Sequence, residues 1–479
     1  MVVCETWHPV RRPPGVIAEH VHFVGISGIG MSALARILLA RGIAVSGSSD
    51  RRTALTDHLA AEGAHVAIGH AAEHVVRATT VVTSTAIDAR NPEVLAAHAS
   101  GVPVLHRGAL LAALMAERRG IAVAGTHGKT TTTAMLARVL EAGGCDPTVV
   151  VGGERIDTRT NARNGAGPWF LSEADESDRS FLDLRPEIAI VTNIENDHIA
   201  SDAEIPELVA SFATFADRVP FGGCVAIGID EPRAAALAAM TRAATTVTFG
   251  CDARADVRAT NARFADFGST CEIVVRGERV GSLVLHVPGA INVEDALAAT
   301  AVGLFLEIPF ATIAAALDGF VGVRRRFEIL ARSPRMTVVD DYAHHPTAVA
   351  ATIAAARANF AGPIVVAFQP HRYTRTRYLA NDFARALRGA DSIVLTDVYA
   401  ASEPPIPGID ATTIGAPLTR DGAAVSYAKV EVLEDALLER SPEGALVLVL
   451  GAGSITAAAA RLAAKLAVPA RTSDARSIA

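Results

Sequence analysis

Gly125-Thr126-His127-Gly128-Lys129-Thr130-Thr131 stands between an apolar run, Ile121–Ala124, and a segment with helical periodicity, Thr130–Ala142. A glycine-rich turn that leaves a strand and opens a helix is a phosphate cradle, because unpaired backbone N–H groups at the helix N-terminus face anionic oxygens. In such a cradle Lys129 reaches the β- and γ-phosphates, and the Thr130 hydroxyl a Mg²⁺ ion. The full GxxxxGK[ST] pattern is not met, since Val123 stands where its first glycine belongs. A glycine-softened turn without a ligand is the competing reading. The strand before and the helix after favour an ATP site over Gly125, Thr126, His127, Gly128, Lys129, Thr130 and Thr131. Lysine usage points the same way: Lys129, Lys429 and Lys465 are the three lysines among 44 basic residues, so lysine chemistry has few places to occur.

Upstream, Val21–Val24 reads as a buried strand, Gly25–Gly30 as a glycine turn and Met31–Ala40 as a helix. Further strands are expected at Ala44–Ser46 and Thr80–Ser84. Aligned to GxGxxG, the turn offers Gly25, Ser27 and Gly30, so the middle glycine is missing. Asp50 follows Gly30 by 20 residues, where a ribose-binding acid would stand. On this block alone a dinucleotide oxidoreductase and a plain Rossmann-like turn both stay open, with a diphosphate-bearing ligand favoured. Downstream, strands are expected at Trp169–Leu171, Ile188–Thr192 and Val225–Ile227. Ala255–Val287 then alternates with period two, as an antiparallel insertion does, before a helix at Val293–Leu306. A third block begins near Val323, with strands at Thr337–Val339, Ile364–Phe368, Ile393–Leu395 and Leu446–Leu450. Helices at Val349–Asn359, Tyr378–Arg388 and Val432–Leu438 alternate with them. The fold class is therefore α/β in three consecutive domains, 16–117, 118–322 and 323–479. The first and last are Rossmann-like, and the central one is P-loop ATPase-like with the antiparallel insertion.

Of 479 residues, 50% are hydrophobic and 20% charged, which excludes a disordered chain. The net charge of -7 gives no basic surface for a nucleic-acid partner. Five scattered cysteines without a CxxC pair suit reduced thiols in a cytoplasm. The charged, proline-containing start Met1–Gly15 is neither a signal peptide nor an anchor. The longest uncharged stretch, Gly444–Ala460, is broken by Gly451, Gly453, Ser454 and Thr456. A soluble cytoplasmic protein with no membrane insertion is expected.

The remaining charged clusters fall at strand ends, where α/β sheets bind ligands. Glu173-Ala174-Asp175-Glu176-Ser177-Asp178 puts carboxylates where a magnesium ligand is needed beside a phosphate loop. Thr192-Asn193-Ile194-Glu195-Asn196-Asp197-His198 repeats the situation, with His198 either structural or serving a second metal. Arg324-Arg325-Arg326, at the boundary into the third block, suits a transferring phosphoryl group. Asp340-Asp341-Tyr342-Ala343-His344-His345 has the ligand types of a metal site as one reading. In Gln369-Pro370-His371-Arg372-Tyr373-Thr374-Arg375 the guanidinium forks of Arg372 and Arg375 suit a carboxylate substrate.

Taken in this order, GTHGKTTT, EADESD, NIE-x-DH, GVRRRFE, DDYAHHPT and FQPHRYTRTR resemble the Mur ligases of bacterial cell-wall synthesis, over about Val21 to Gly453. The resemblance implies ATP-dependent amide formation through an acyl phosphate. It implies a UDP-sugar in the first domain, ATP in the middle one and an amino acid at the third. The substrates it implies are UDP-N-acetylmuramate and L-alanine, with a different amino-acid or peptide acceptor as the alternative. By the same resemblance Lys129, Glu173, His198 and Arg326 carry the catalysis, and Thr130, Glu173 and His198 hold Mg²⁺. Arg325 meets the phosphates, while Asn292 and position 295 contact the adenine. The UDP-sugar falls to Gly25, Ser27, Gly28, Ile29, Gly30, Met31, Asp50 and Ser84, and the amino acid to Tyr342, His344, Arg372 and Arg375. Family members that add later residues use a carbamylated lysine in the middle domain. No lysine lies between Lys129 and Lys429, so that device is absent here. The chain departs from the family pattern at Ser27, Ala124, Ile291, Asp295 and Ile199–Asp202.

Overall fold

The structure, a computed structural model, describes residues 19–195, 204–242 and 245–467. Two compact units emerge. One runs to Arg324 apart from Phe264–Phe267, and the other joins those four residues to the chain from Arg325 onward.

The first unit carries two sheets. Strands β1 (His20–Val24), β2 (Ala44–Ser49), β3 (His65–Ile68), β4 (Thr80–Thr83) and β5 (Val104–His106) lie in the order β3-β2-β1-β4-β5. All neighbours pair in parallel. The strand order reverses at β1, so the turn that follows β1 opens at the switch point where such sheets bind ligands.

The second sheet contains β6 (Arg119–Ala124), β7 (Thr148–Val150), β8 (Ala162–Arg163), β9 (Trp169–Glu173), β10 (Ile188–Val191), β11 (Cys224–Gly228), β12 (Thr246–Gly250), β13 (Val257–Ala265), β14 (Gly268–Val275) and β15 (Glu278–Leu285). Their order is β15-β14-β13-β12-β11-β10-β6-β9-β7-β8. Strand β6 runs parallel to both β10 and β9, and Ile121 to Ala124 are fully buried. A parallel strand covered on both faces needs such an unbroken apolar run. The period-two segment does form antiparallel strands, β14 against β15. The group joins the central sheet through β13, which pairs in parallel with β12 at Phe249 and Val257.

The first two sheets share one unit because their elements share a core. Helix Ile29–Ala40 contributes Ala33, Leu34 and Ile37 to a buried cluster that also contains Ala122, Phe170 and Phe181. Buried Arg36 donates Nη1 to Asn161 Oδ1 at 2.6 Å, and Asn161 Nδ2 donates to Ile29 O at 2.7 Å.

The second unit holds β16 (Glu328–Arg332), β17 (Met336–Asp341), β18 (Ile364–Phe368), β19 (Ser392–Leu395), β20 (Val425–Tyr427) and β21 (Ala445–Leu450) in the order β16-β17-β21-β18-β19-β20. Only the β16–β17 pair is antiparallel. The helix expected at Tyr378–Arg388 is two helices, Tyr373–Tyr378 and Ala380–Leu387, meeting at Leu379, which packs on the core beside Phe383 and Leu387. No described helix is long and apolar enough to cross a membrane.

Candidate active site

The loop after β6 lies between the C-terminal ends of β9 and β10, which bring Glu173 and Thr192 to its sides. Gly125 and Gly128 have φ of +135° and +83°, values that favour glycine. There is no room for a side chain at either: a Cβ on Gly125 would strike the Thr192 hydroxyl, and one on Gly128 the Asp295 carboxylate. Helix Lys129–Ala142 starts from Gly128 with no side-chain cap, leaving its first N–H groups for an anion. The strand β10 end clamps the loop. Thr192 Oγ1 donates to His127 O at 2.6 Å, and Asn193 Oδ1 accepts from His127 N at 2.9 Å. Glu195 N donates to Thr126 Oγ1 at 2.8 Å. Asn193 and Thr192 are thus functional supports that motif reading missed, and a Thr-Asn pair at the end of the next strand was their only signal.

Two oxygen donors expected to hold Mg²⁺ converge. Thr130 Oγ1 donates to Glu173 Oε2 at 3.2 Å, and Gly152 N donates to the other carboxylate oxygen. Hard oxygens at this spacing fit a magnesium ion, which would replace the Thr130 hydrogen bond. His198 lies outside the described residues. Lys129 folds over its own loop, donating to Gly125 O at 2.5 Å and Thr126 O at 3.1 Å, and pairs with Glu176 at 2.9 Å. Burial works against the ammonium charge, but Glu176, Asp175 and Glu173 outweigh it and hold the Lys129 pKa above its ordinary value. Burial, with the nearby Asp175 charge, pushes Glu176 up to about 7 despite Lys129.

Asn292 and Asp295 occupy the first turns of helix Ala290–Phe305, but they do not share a task. Asn292 Nδ2 donates to Pro288 O at 2.7 Å. Asp295 is 3% exposed, presses on Gly128 and accepts from Thr132 Oγ1 at 2.8 Å. Its carboxylate braces the phosphate loop from behind.

At the first sheet, Gly25 has φ +78°, and Gly28 caps helix Ile29–Ala40 without a side-chain bond, so the N–H groups of Ile29, Gly30 and Met31 face outward from the turn. Ser27 Oγ and Ser49 Oγ lie 2.8 Å apart, and Ser84 follows β4 on the same edge. The Met31 side chain is 3% exposed and belongs to the core, so its backbone N–H is what it offers a ligand. Asp50 is largely exposed and is held by His70, whose Nε2 lies 3.0 Å from Asp50 Oδ1 and whose Nδ1 lies 2.9 Å from the fully buried Glu93.

In the second unit, the guanidinium carbons of Arg325 and Arg326 stand 4.8 and 5.1 Å from the centre of the Tyr342 ring. Arg325 also donates Nη2 to Gly451 O at 2.6 Å. An aromatic file runs from Tyr342 to His344, His371 and Tyr399, with centroids 5.1 to 5.5 Å apart. Arg375 joins it with Nη1 3.3 Å from His371 Nδ1 and is 8% exposed. Arg372 does not stand beside it as a second fork. It is half exposed and turned to Glu403 at 3.9 Å, because it caps the helix that carries Arg375 inward. In the Asp/His segment both aspartates accept hydrogen bonds from groups of their own unit. Asp341 gives both oxygens to backbone N–H groups, those of Phe327 at 2.8 Å and Ala343 at 2.7 Å, and Asp340 Oδ2 accepts from Thr456.

A phosphate loop beside paired oxygen ligands, following a switch-point glycine turn and preceding an arginine-bearing α/β unit, defines a nucleotide-dependent ligase. Residues 20–119 match the Mur ligase family catalytic domain, 123–303 the Mur ligase middle domain and 325–453 the Mur ligase glutamate ligase domain. The chain belongs to the Mur ligase family, whose members are ATP-dependent ligases. It is 44% identical over 450 residues to the UDP-N-acetylmuramate–L-alanine ligase of Geotalea uraniireducens, covering 94% of this chain and 98% of that one. The protein of the same name from Burkholderia cenocepacia is 44% identical over 455 residues, covering 93% and 98%. The crystal structure of the UDP-N-acetylmuramate-alanine ligase from Thermotoga maritima superposes with a TM-score of 0.81 at 30% identity, covering 93% and 98%.

Proposed function

We propose that this chain joins L-alanine to the carboxylate of UDP-N-acetylmuramate, consuming ATP, in the cytoplasmic synthesis of peptidoglycan precursors. What supports the particular substrates is the 44% identity, over nearly the full length of both chains, to relatives named for that reaction. The domains are assigned as 16–117 for the UDP-sugar, 118–322 for ATP and 323–479 for the amino acid. A sugar carboxylate oxygen attacks the γ-phosphorus, the bond to ADP breaks, and an acyl phosphate forms. The alanine amine then attacks the acyl carbon, loses a proton and expels phosphate.

Lys129 and the N–H groups of Gly125–Thr131 hold the phosphates and offset the charge of the transferring group. Thr130 and Glu173, with His198, would hold Mg²⁺, which neutralises phosphate charge when bound. Arg325 and Arg326 meet the phosphates, Asn292 lies on the adenine side, and Arg375 with Tyr342 and His344 orients the amino acid. The decisive experiment supplies ATP, Mg²⁺, UDP-N-acetylmuramate and single amino acids, and measures phosphate release. Release that requires both the sugar nucleotide and L-alanine supports the proposal. Release only with a peptide acceptor would reassign the enzyme to peptide recycling.

A further inference from the structure

Arg107 is a cation with no part in the ligation chemistry above. Arg107 opens helix Arg107–Met115 directly after β5, at the same sheet edge as the Gly25–Gly30 turn. A guanidinium in a first helical turn faces the positive end of the helix dipole, which disfavours it. Two carboxylates hold it there nonetheless. Arg107 Nη2 donates to Asp175 Oδ2 at 2.5 Å and to Asp178 Oδ2 at 3.0 Å, and Asp178 is itself nearly buried. Both bonds leave from Nη2. Nη1 points the other way, onto Gly30, where an added Cβ would lie 3.4 Å from it. Among the described residues Nη1 donates to no acceptor. The guanidinium is thus fixed on one edge by the acidic segment of the ATP site and presents its other edge to the turn at the head of helix Ile29–Ala40.

We propose that Arg107 is a substrate-binding residue: Nη1 donates to the diphosphate of the UDP-sugar at the Gly25–Gly30 turn, while Asp175 and Asp178 fix the guanidinium. This rests on the proposed function for the identity of the nucleotide sugar. The geometry gives it a second consequence. The acidic segment that holds Arg107 through Asp175 also pairs Lys129 through Glu176, so it links the cation of the sugar site to the cation of the ATP site. The glycine turn supplies backbone donors without charge, and Arg107 adds the charge that a diphosphate needs.

Titration calorimetry on the full chain tests this with Arg107→Gln and Arg107→Lys against UDP-N-acetylmuramate, UDP-N-acetylglucosamine and ATP. The two sugars share the diphosphate, and only the first has a carboxylate. Arg107→Gln is expected to weaken both sugars roughly ten- to a hundredfold, as loss of a charge-assisted bond does, with ATP affinity within twofold. Arg107→Lys, which keeps the charge, should recover part of the loss and provides the folded comparison if the glutamine variant is unstable. Unchanged sugar affinity would reduce Arg107 to a salt-bridge residue and overturn the proposal. Weakening confined to UDP-N-acetylmuramate would hand Arg107 to the carboxylate instead. An equal loss of ATP binding would show that the variant acts through Asp175 and the phosphate loop. Wild-type protein that binds neither sugar would overturn the functional reading itself, an outcome visible before any variant is made.

Discussion

Glu294, in the helix that carries Asp295, is expected to make the first unit lose stability as pH rises through the weakly acidic range. Burial, with the charges of Asp230 and Glu195 beside it, pushes its carboxyl from an ordinary 4.5 to about 7. A carboxyl whose pKa is raised on folding binds more protons in the native state between these values. Stability is therefore complete below about pH 4.5 and falls as pH rises toward about 7. At roughly 1.4 kcal/mol per pKa unit, the full shift is a ceiling of about 3.5 kcal/mol above pH 7. Glu294 keeps some solvent exposure, so water screens part of this, and about 1.5–3 kcal/mol is the working range.

Glu294→Gln removes the charge and keeps the shape, so it should restore that stability at pH 8 and change nothing near pH 4.5. In a unit of roughly 300 residues the gain corresponds to about 2–4 °C in Tm. Thermal unfolding followed through the fluorescence of Trp169, fully buried in β9 of the same unit, reads it directly. A gain of equal size at both pH values would mean that packing, not charge, is responsible. No gain at pH 8 would show that Glu294 is solvated like a surface acid.

Lys129→Ala should abolish phosphate release at saturating ATP, and near-wild-type turnover would remove Lys129 from the site. The same variant leaves Glu176 buried without its ammonium partner, so its Tm should fall more at pH 8 than at pH 5, where Glu176 is protonated. Glu173→Gln should raise the Mg²⁺ concentration for half-maximal rate at least tenfold, because a neutral amide is a poorer ligand for a hard cation. An unchanged titration would point to another carboxylate. Arg375→Ala should raise the KM for L-alanine roughly ten- to a hundredfold while leaving that for ATP within twofold, and steady-state kinetics with each substrate varied decides it.

The features legible in the sequence were those whose physics is local. The phosphate loop is read from consecutive residues, because a strand, a turn at positive φ and a helix start are neighbours in the chain. Glu173 was legible for the same reason, since the end of an apolar run marks the edge where ligands bind. Contacts across the fold were not. Asn193 holds His127 across 66 positions, and nothing near either residue announces the other. Helix periodicity placed Asn292 and Asp295 on one face but could not say what that face meets, and Asp295 meets Thr132 across 163 positions. The alternation in Ala255–Val287 identified antiparallel strands, yet period two is silent on which outside strand the group joins. Arg372 and Arg375, three apart, looked like one pair of forks. A six-residue helix starting between them sends one outward to Glu403 and the other inward to His371.

The departure at Asp295 shows how such a distant contact changes the meaning of a substitution. The chain departs from the family pattern there, at a position the resemblance gives to the adenine contact. In the structure the carboxylate sits behind Gly128 and bonds Thr132, residues at the start of the helix that points at the phosphates. A negative group is favourable near a helix N-terminus, and the Thr132 hydroxyl, itself fully buried, needs an acceptor. An asparagine oxygen would satisfy that hydroxyl equally well, but without the charge. The aspartate therefore ties the loop more tightly to helix Ala290–Phe305 and at the same time lowers the positive potential that the loop offers to ATP. The expected effect is therefore on phosphate binding, which every nucleoside triphosphate shares.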